Sequence, residues 1–329
     1  MNLAVIAAGA WGTALAIAFS ARHRVTLWTR EEDVTQSMLA ERENKHFFPG
    51  HRFPDALRIG TDFTASVADA DLLILATPLI GFRDTLRHLA ETRQVKPLIW
   101  VCKGMEAGSA KLPHQVVEEE LGREVLCGAL TGPSFAEEVA RGLPTAITLA
   151  SRNAEFARRT ALELHSSRLR IYANDDLSGA EVGGAVKNVM AIATGICDGL
   201  GLGHNARAAL MTRGLAEIAR LGVALGGQPN TFMGLAGMGD LLLTCTGDLS
   251  RNRQVGLALA AGRKLPQILA DLGHVAEGVS TAREVLRLAG QIGIDMPITQ
   301  AVDAILHHDV PAAEAVEQLL SRDPRPEIE

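Results

Sequence analysis

Lys187 is the only charged residue between Glu181 and Asp198 in the stretch GAEVGGAVKNVMAIATGICD, Gly179–Asp198. An amine in so apolar a segment can serve as a proton donor to a bound ligand. Val182, Val186, Val189, Ile192 and Ala193 fall at helical spacing, so the stretch reads as a helix. Gly183 and Gly184 lie one turn before the lysine and Ala191 one turn after it, on the same face. Adjacent glycines cost a helix roughly 0.5–1 kcal/mol each against alanine. The reading is that they leave room for a cleft floor into which Lys187 reaches. The plainer alternative is a lysine snorkelling out of a buried helix. Burial would lower the pKa of such an amine and a carboxylate beside it, were Asp240 to lie near, would raise it; the sequence does not say which prevails.

Other residues add to this chemistry. Lys103 follows the apolar run Pro97–Cys102, at the carboxyl end of an expected strand, where doubly wound sheets gather ligands. Ser134 and Glu137 have capping-box spacing, which predicts a helix start with its amides on the edge that carries Lys103. Ser250 reads as an N-cap, with Arg251 and Arg253 in the first turn after it. Cations there oppose the helix dipole, which argues for a phosphate held by Arg251 beside Asn252. Each feature also has an ordinary explanation: lysines end many strands, capping alone accounts for Ser134 and Glu137, and solvent dilutes the dipole penalty. Cys102, Cys127, Cys197 and Cys245 are widely separated and have no His cluster beside them. They read as small core hydrophobes in a reducing cytoplasm, not as metal ligands or a disulfide framework.

The elements that must position these groups follow from the apolar pattern. Leu3–Ile6 reads as a strand, Ala7-Ala8-Gly9-Ala10-Trp11-Gly12 as a nucleotide turn, and TALAIAFSAR as a helix. That is the opening of a dinucleotide-binding unit, in which small residues at Gly9–Gly12 let the backbone approach a pyrophosphate. Ala7 stands where the first glycine of G-x-G-x-x-G belongs, which predicts a shifted turn or weaker cofactor affinity. Strand Arg24–Trp28 ends in Thr29-Arg30. Arg30 suits the 2′-phosphate of NADP, while Glu31 and Glu32 follow at once and leave NAD open.

Glu32–Phe53 reads as polar and irregular around a helix over Val34–Arg42. Asp71–Ala76, Pro97–Cys102, Val125–Leu130, Thr145–Ser151 and Leu169–Ala173 read as strands, with helices over Ile80–Thr92 and Glu155–Ser166. From Leu177 onward strand signals stop. Asp198–Asn205 and Gly234–Gly239 read as Gly-rich loops, the second running into Asp240. Ala206–Leu225, Gln254–Ala261, Ser280–Ile292 and Gln300–His307 read as helices, with Pro297 between the last two. His274–Gly278 reads as a loop carrying Glu277, and Asp323–Glu329 as a disordered tail. The expected fold is α/β: a Rossmann-like, doubly wound, mostly parallel sheet over 1–175, then an all-α substrate domain over 176–329.

The 329 residues, 47% hydrophobic and 21% charged, have globular composition and length for roughly two domains. Aromatics are only 4%, so the core must come from Ala, Leu, Val and Ile. A net charge of −6 gives no electrostatic reason to expect nucleic acid. No apolar run is long enough to span a bilayer, and MNLAVIAAGAWG reads as the entry to a strand, not a signal peptide.

In order along the chain, the motifs are GAWGTALA (Gly9–Ala16), Lys103-Gly104, TGPSFA (Thr131–Ala136), GGAVKN (Gly183–Asn188), GMGDL (Gly237–Leu241), Thr244-Cys245-Thr246 and SRNR (Ser250–Arg253). Together they resemble those of the bacterial NAD(P)-dependent glycerol-3-phosphate dehydrogenases, over nearly the whole chain. The resemblance implies a 6-phosphogluconate-dehydrogenase-like fold and reduction of dihydroxyacetone phosphate to sn-glycerol 3-phosphate for phospholipid synthesis. It implies NADPH, or NADH, as cofactor, and a cytoplasmic homodimer. Lys187 matches the proton donor. Gly9, Ala10, Trp11, Gly12, Arg30, Lys103, Ala136, Arg251, Val275 and Glu277 fall at cofactor contacts. Lys103, Gly132, Ser134, Lys187, Asp240, Ser250, Arg251 and Asn252 match substrate contacts. On the residues alone two other readings stay open: a cofactor-binding regulator without turnover, favoured only by Ala7, and an enzyme for another small 2-oxo compound.

Overall fold

The computed structural model describes residues 1–273 and 275–323. Its strands are β1 (Asn2–Ile6), β2 (Arg24–Trp28), β3 (Glu43–Asn44), β4 (Phe48–Arg52), β5 (Arg58–Gly60), β6 (Leu72–Leu75), β7 (Leu98–Trp100), β8 (Cys127–Thr131), β9 (Thr145–Ala150) and β10 (Leu169–Asn174). Eight of them form one sheet in the order β10-β9-β8-β7-β6-β1-β2-β5. All pairings are parallel except β8 with β9. The strands β6 and β7 are buried at every residue, as an unbroken apolar run between two helical layers must be. Because β1 lies between β2 and β6, the chain leaves it in opposite directions along the sheet. The turn that follows β1 therefore sits at a topological switch point, where a crevice opens.

The helices that accompany the sheet are α1 (Ala10–Ser20), α2 (Glu32–Glu41), α3 (Phe63–Ala68), α4 (Phe82–Glu91), α5 (Pro113–Leu121), α6 (Ala136–Ala140) and α7 (Ala154–Leu164). After β10 come only helices among the described residues: α8 (Leu177–Gly199), α9 (Gly203–Ala224), α10 (Pro229–Met233), α11 (Asp240–Thr246), α12 (Arg251–Ala260), α13 (Leu265–Leu272), α14 (Glu277–Ile292), α15 (Pro297–His307) and α16 (Ala312–Leu320). Two apolar clusters cover the two faces of the sheet and a third surrounds α8, built mainly from Leu, Val, Ile and Ala. Buried His114 on α5 and Glu181 on α8 share a hydrogen bond that ties the helical part to the sheet layer.

Several local expectations are corrected. The polar stretch after α2 contains the antiparallel β3–β4 hairpin, and β5 and α3 follow it. Short polar segments of this kind carry too little apolar periodicity to be legible. The Asp198–Asn205 loop shrinks to three residues between α8 and α9, and Gly234–Gly239 forms a π-helical turn over Leu235–Gly239. Tertiary packing overrides the low helix propensity of glycine at both places. Pro297 opens α15 instead of separating two helices, since the first helical position needs no N–H. Glu277 likewise opens α14. His274 of the predicted loop, and residues 324–329 of the predicted tail, lie outside the described residues.

Candidate active site

Twenty of the 23 residues of α8 are buried, the position that a helix apolar on nearly every side must take. A charged side chain inside it needs partners. Lys187 Nζ donates to Asp240 Oδ1 at 2.6 Å and to Thr244 Oγ1 at 2.7 Å. The side chains of Lys187 and Asp240 are only 8% and 2% exposed. Asp240 opens α11, and Thr244, one turn later, donates to the Asp240 backbone oxygen at 2.6 Å. The other carboxylate oxygen, Asp240 Oδ2, accepts from Lys103 Nζ at 2.5 Å and from Thr131 Oγ1 at 3.4 Å. Lys103 also donates to Gly132 O at 3.3 Å, the oxygen that accepts from Ser134 Oγ at 2.9 Å. One carboxylate thus joins the strand-end residues after β7 and β8 to the lysine of α8.

Two ammonium groups share this single carboxylate, so the cluster carries an excess of positive charge. Burial lowers the Lys187 pKa most, Asp240 pulls it back up, and Lys103 pushes it down again, leaving about 8. Burial alone would raise the Asp240 carboxyl, but Lys103 and Lys187 hold it below the usual carboxylate range. Two of the three Lys187 N–H donors are committed, and the third is available to a ligand oxygen.

Asn188, the next residue on α8, links this cluster to the starts of α12 and α14. Its Oδ1 accepts from Asn252 Nδ2 at 3.0 Å, and its Nδ2 reaches Glu277 Oε2 at 3.5 Å. The Asn252 Oδ1 in turn accepts from Gly278 N at 3.0 Å. Ser250 caps α12, its Oγ accepting from Arg253 N at 3.3 Å. Arg251 is exposed and has no hydrogen bond or ion pair among the described residues, so its guanidinium is open to an anion. Burial pushes the Glu277 carboxyl up, against the pull of Arg251, Lys103 and Lys187.

At the switch point, Gly9 caps α1 with no side-chain hydrogen bond, so the first-turn amides of α1 are left for a bound anion. The fit to a dinucleotide pyrophosphate is good: a helix of eleven residues begins there behind a turn of small side chains. Ala7 adopts φ 84, the left-handed conformation that a glycine would take, and its N–H donates to Trp28 O at 2.8 Å. The alanine is strained into this conformation.

Residues 2–157 match the family model described as the NAD-dependent glycerol-3-phosphate dehydrogenase N-terminus, and residues 176–317 match that of its C-terminus. The chain belongs to this dehydrogenase family. It is 64% identical over 328 residues to the glycerol-3-phosphate dehydrogenase (NAD(P)+) of Dechloromonas aromatica, covering 100% of both chains. The corresponding enzyme of Aromatoleum aromaticum is 60% identical, over 99% of this chain and 100% of its own. The crystal structure of glycerol-3-phosphate dehydrogenase from Coxiella burnetii superposes with a TM-score of 0.93 at 42% identity, covering 98% of this chain and 99% of that one. A D-mandelate dehydrogenase, 14% identical with a TM-score of 0.61, shares the fold alone.

Most of the residues singled out from sequence fall into three places. Lys187, Asp240, Lys103, Gly132 and Ser134 meet around one carboxylate. Ser250, Arg251, Asn252 and Glu277 gather at the starts of α12 and α14, joined to the first group through Asn188. Gly9, Ala10, Trp11 and Gly12 form the turn and first helical residues after β1, and Ala136 opens α6, which packs on α1. Arg30 stands apart at the end of β2, its side chain 82% exposed and its Nε 3.0 Å from Glu31 Oε1. Val275 is exposed just before α14.

Three readings of these dehydrogenase residues change. A Cβ on Gly183 would lie 2.6 Å from Ala236 O, and one on Gly184 would lie 3.1 Å from Thr131 Oγ1 and 3.6 Å from Lys103 Cγ. The glycines therefore admit the π-helical turn and the stem of Lys103, not an empty space beside Lys187. The predicted Ser134–Glu137 capping box does not form: Phe135 is the N-cap of α6, without a side-chain bond, and Glu137 meets His51 Nε2 at 2.7 Å. Arg253 is not an uncompensated cation, since it pairs with Asp198 at 2.8 Å and Asp248 at 3.1 Å. The anion argument rests on Arg251 alone. Thr131, Thr244 and Asn188 join the site only through the fold. Thr244 had one signal available: it stands four residues after Asp240, on the same helical face.

Proposed function

We propose that the chain interconverts dihydroxyacetone phosphate and sn-glycerol 3-phosphate with NAD(P)H, and that Lys187 moves the proton. The observation that carries this reading is a buried amine aimed by Asp240 and Thr244 with one donor left over. NAD(P)H, when bound, supplies the hydride. Gly9, Ala10, Trp11 and Gly12 hold its pyrophosphate, Arg30 its 2′-phosphate, and Lys103, Ala136, Arg251, Val275 and Glu277 complete its site. Protonated Lys187 donates to the ketone oxygen, stabilises the charge that grows there, and then protonates it. Arg251, with Ser250 and Asn252, holds the substrate phosphate. Lys103, Gly132, Ser134 and Asp240 line the rest of the substrate pocket, and Asp240 keeps both ammonium groups in place.

The test is to mix purified protein with NADPH or NADH and dihydroxyacetone phosphate, following nicotinamide absorbance and glycerol 3-phosphate formed. Binding of nucleotide without any oxidation would replace this reading with that of a regulator.

The same proposal extends to organisation. A dinucleotide domain over 1–175 and a catalytic domain over 176–329 are supported by the end of β10 at Asn174, and limited proteolysis checks the boundary. A homodimer is supported by exposed apolar residues such as Leu202, Val223 and Leu320, and light scattering gives the mass in solution. A cytoplasmic location is supported by four free cysteines, and cell fractionation tests it.

A further inference from the structure

Asn44 ends β3 and reaches from the β3–β4 hairpin to the turn after β1. We infer that Asn44 is a positioning residue for cofactor binding, holding the strained turn at Ala7–Gly9 in the shape that accepts a dinucleotide phosphate. The inference rests on the reading of that turn as the nucleotide site.

Ala7 sits at φ 84, where an L side chain crowds its own carbonyl. Such a conformation persists only when the surroundings over-determine it. The surroundings here converge on the next residue. Asn44 Nδ2 donates to Ala8 O at 2.6 Å and to Thr13 Oγ1 at 2.9 Å, and Thr13 Oγ1 donates to Ala8 O at 3.3 Å. The three groups close a triangle between the hairpin, the turn and the first turn of α1. Asn44 is fully buried, and its own Oδ1 accepts from Phe47 N at 3.0 Å, which fixes the amide so that its N–H₂ faces the turn. Ala7 itself is held from one side by its N–H bond to Trp28 O; without Asn44 the buried Ala8 carbonyl would lose its closest donor, and the turn its support from the other side.

A two-stranded hairpin is marginal by itself, so this one must be anchored. At its far end His51 Nε2 meets Glu137 Oε2 at 2.7 Å, and Glu137 lies on α6 next to Ala136. Gly50 N donates to Glu43 Oε1 at 2.8 Å across the hairpin. The hairpin therefore spans from the phosphate turn to the residue expected on the other side of the cofactor.

The test titrates NADPH into wild type, Asn44→Ala, Ala7→Gly and the double variant, with steady-state kinetics and melting curves on each. Asn44→Ala should raise the NADPH Kd and KM about tenfold while kcat and the dihydroxyacetone phosphate KM stay within about twofold. Ala7→Gly should restore most of that affinity in the double variant, because glycine holds the left-handed conformation without support. A lower melting temperature with an unchanged NADPH Kd, or a Kd that Ala7→Gly does not rescue, overturns the inference. Should Asn44→Ala fail to fold, Thr13→Val breaks the same triangle: a severalfold rise in NADPH Kd supports the role and an unchanged Kd overturns it. Wild type that binds neither NADPH nor NADH would instead remove the reading of the turn, and the role of Asn44 with it.

Discussion

Lys187 Nζ and Asp240 Oδ1 lie 2.6 Å apart across two helices, and Lys103 reaches the other oxygen of the same carboxylate at 2.5 Å. The carboxylate lies between two ammonium groups that would otherwise repel each other directly, and it opposes the loss of the Lys187 proton that burial favours. Asp240 thus fixes both where the reactive amine points and when it holds its proton.

Replacing that amine should remove the chemistry and leave binding intact. Lys187→Ala is expected to lower kcat by about 10²–10⁴, the usual range for a lost general acid, with NADPH affinity within a few-fold. Asp240 retains Lys103 as a partner in this variant, so the fold survives. Single-turnover kinetics beside a nucleotide titration separate the two effects, and undiminished turnover would assign the proton to another group.

The direction of the pH dependence follows from the Lys187 pKa of about 8. Ketone reduction needs the ammonium, so its kcat should fall as pH rises through about 8. Alcohol oxidation needs the free amine and should rise over the same range. Asp240→Asn removes the group that raises this pKa, so both limbs should move to lower pH. Profiles of the two directions in wild type and variant check the sign; a shift to higher pH would contradict it.

Two neighbouring arginines should behave differently. Arg251 has no hydrogen bond or ion pair among the described residues, so Arg251→Ala should raise the KM for dihydroxyacetone phosphate at least tenfold, with stability changed by about 0.5 kcal/mol or less. Arg253 ties α12 to Asp198 at the end of α8, so Arg253→Ala should cost about 2 kcal/mol of stability. Urea unfolding read beside Michaelis constants distinguishes a ligand-holding arginine from a framework one.

Glu217 on α9 supplies a stability prediction outside the site. It is 2% exposed and accepts from Ile298 N at 2.6 Å and from Thr299 N at 3.3 Å, capping α15 across the fold. Burial outweighs those hydrogen bonds and raises its pKa from 4.5 to about 7. A raised folded pKa means that its contribution is complete below the unfolded value of 4.5 and is lost as pH rises through about 7. Glu217→Gln keeps an acceptor without the charge, so its stability relative to wild type should improve by about 1–3 kcal/mol between pH about 5 and about 8. Denaturant midpoints at both pH values measure this; an unchanged difference would show that Glu217 is not charging in that range.

Local pattern made part of this molecule legible. The strand Arg24–Trp28, the turn after β1, the apolar helix around Lys187 and the placement of Lys103 after a buried strand all rest on neighbours a few residues apart. Hydrophobic periodicity and turn chemistry act over that range. The N-cap at Ser250 was legible for the same reason, because its partner Arg253 N is three residues away. The Ser134–Glu137 spacing, read by the same rule, was overridden by Gly132 O and His51. His51 stands 86 residues from Glu137 in the chain, beyond the reach of any local pattern.

Tertiary structure alone decided the rest. Asp240 is 53 residues from Lys187 and 137 from Lys103, and only the packing of α11 on α8 beside the strand ends brings the three together. The lysine pKa depends on how much water the fold removes and which charges it leaves nearby, and neither quantity is written in the spacing of residues. Gly183 and Gly184 showed that something comes close to α8, but the shape of the folded chain determined that it was a π-helical turn and the stem of Lys103. Sequence supplied the groups capable of the chemistry, because residue type fixes what each can do. Folding set their charge and aim, because both depend on contacts between segments far apart in the chain.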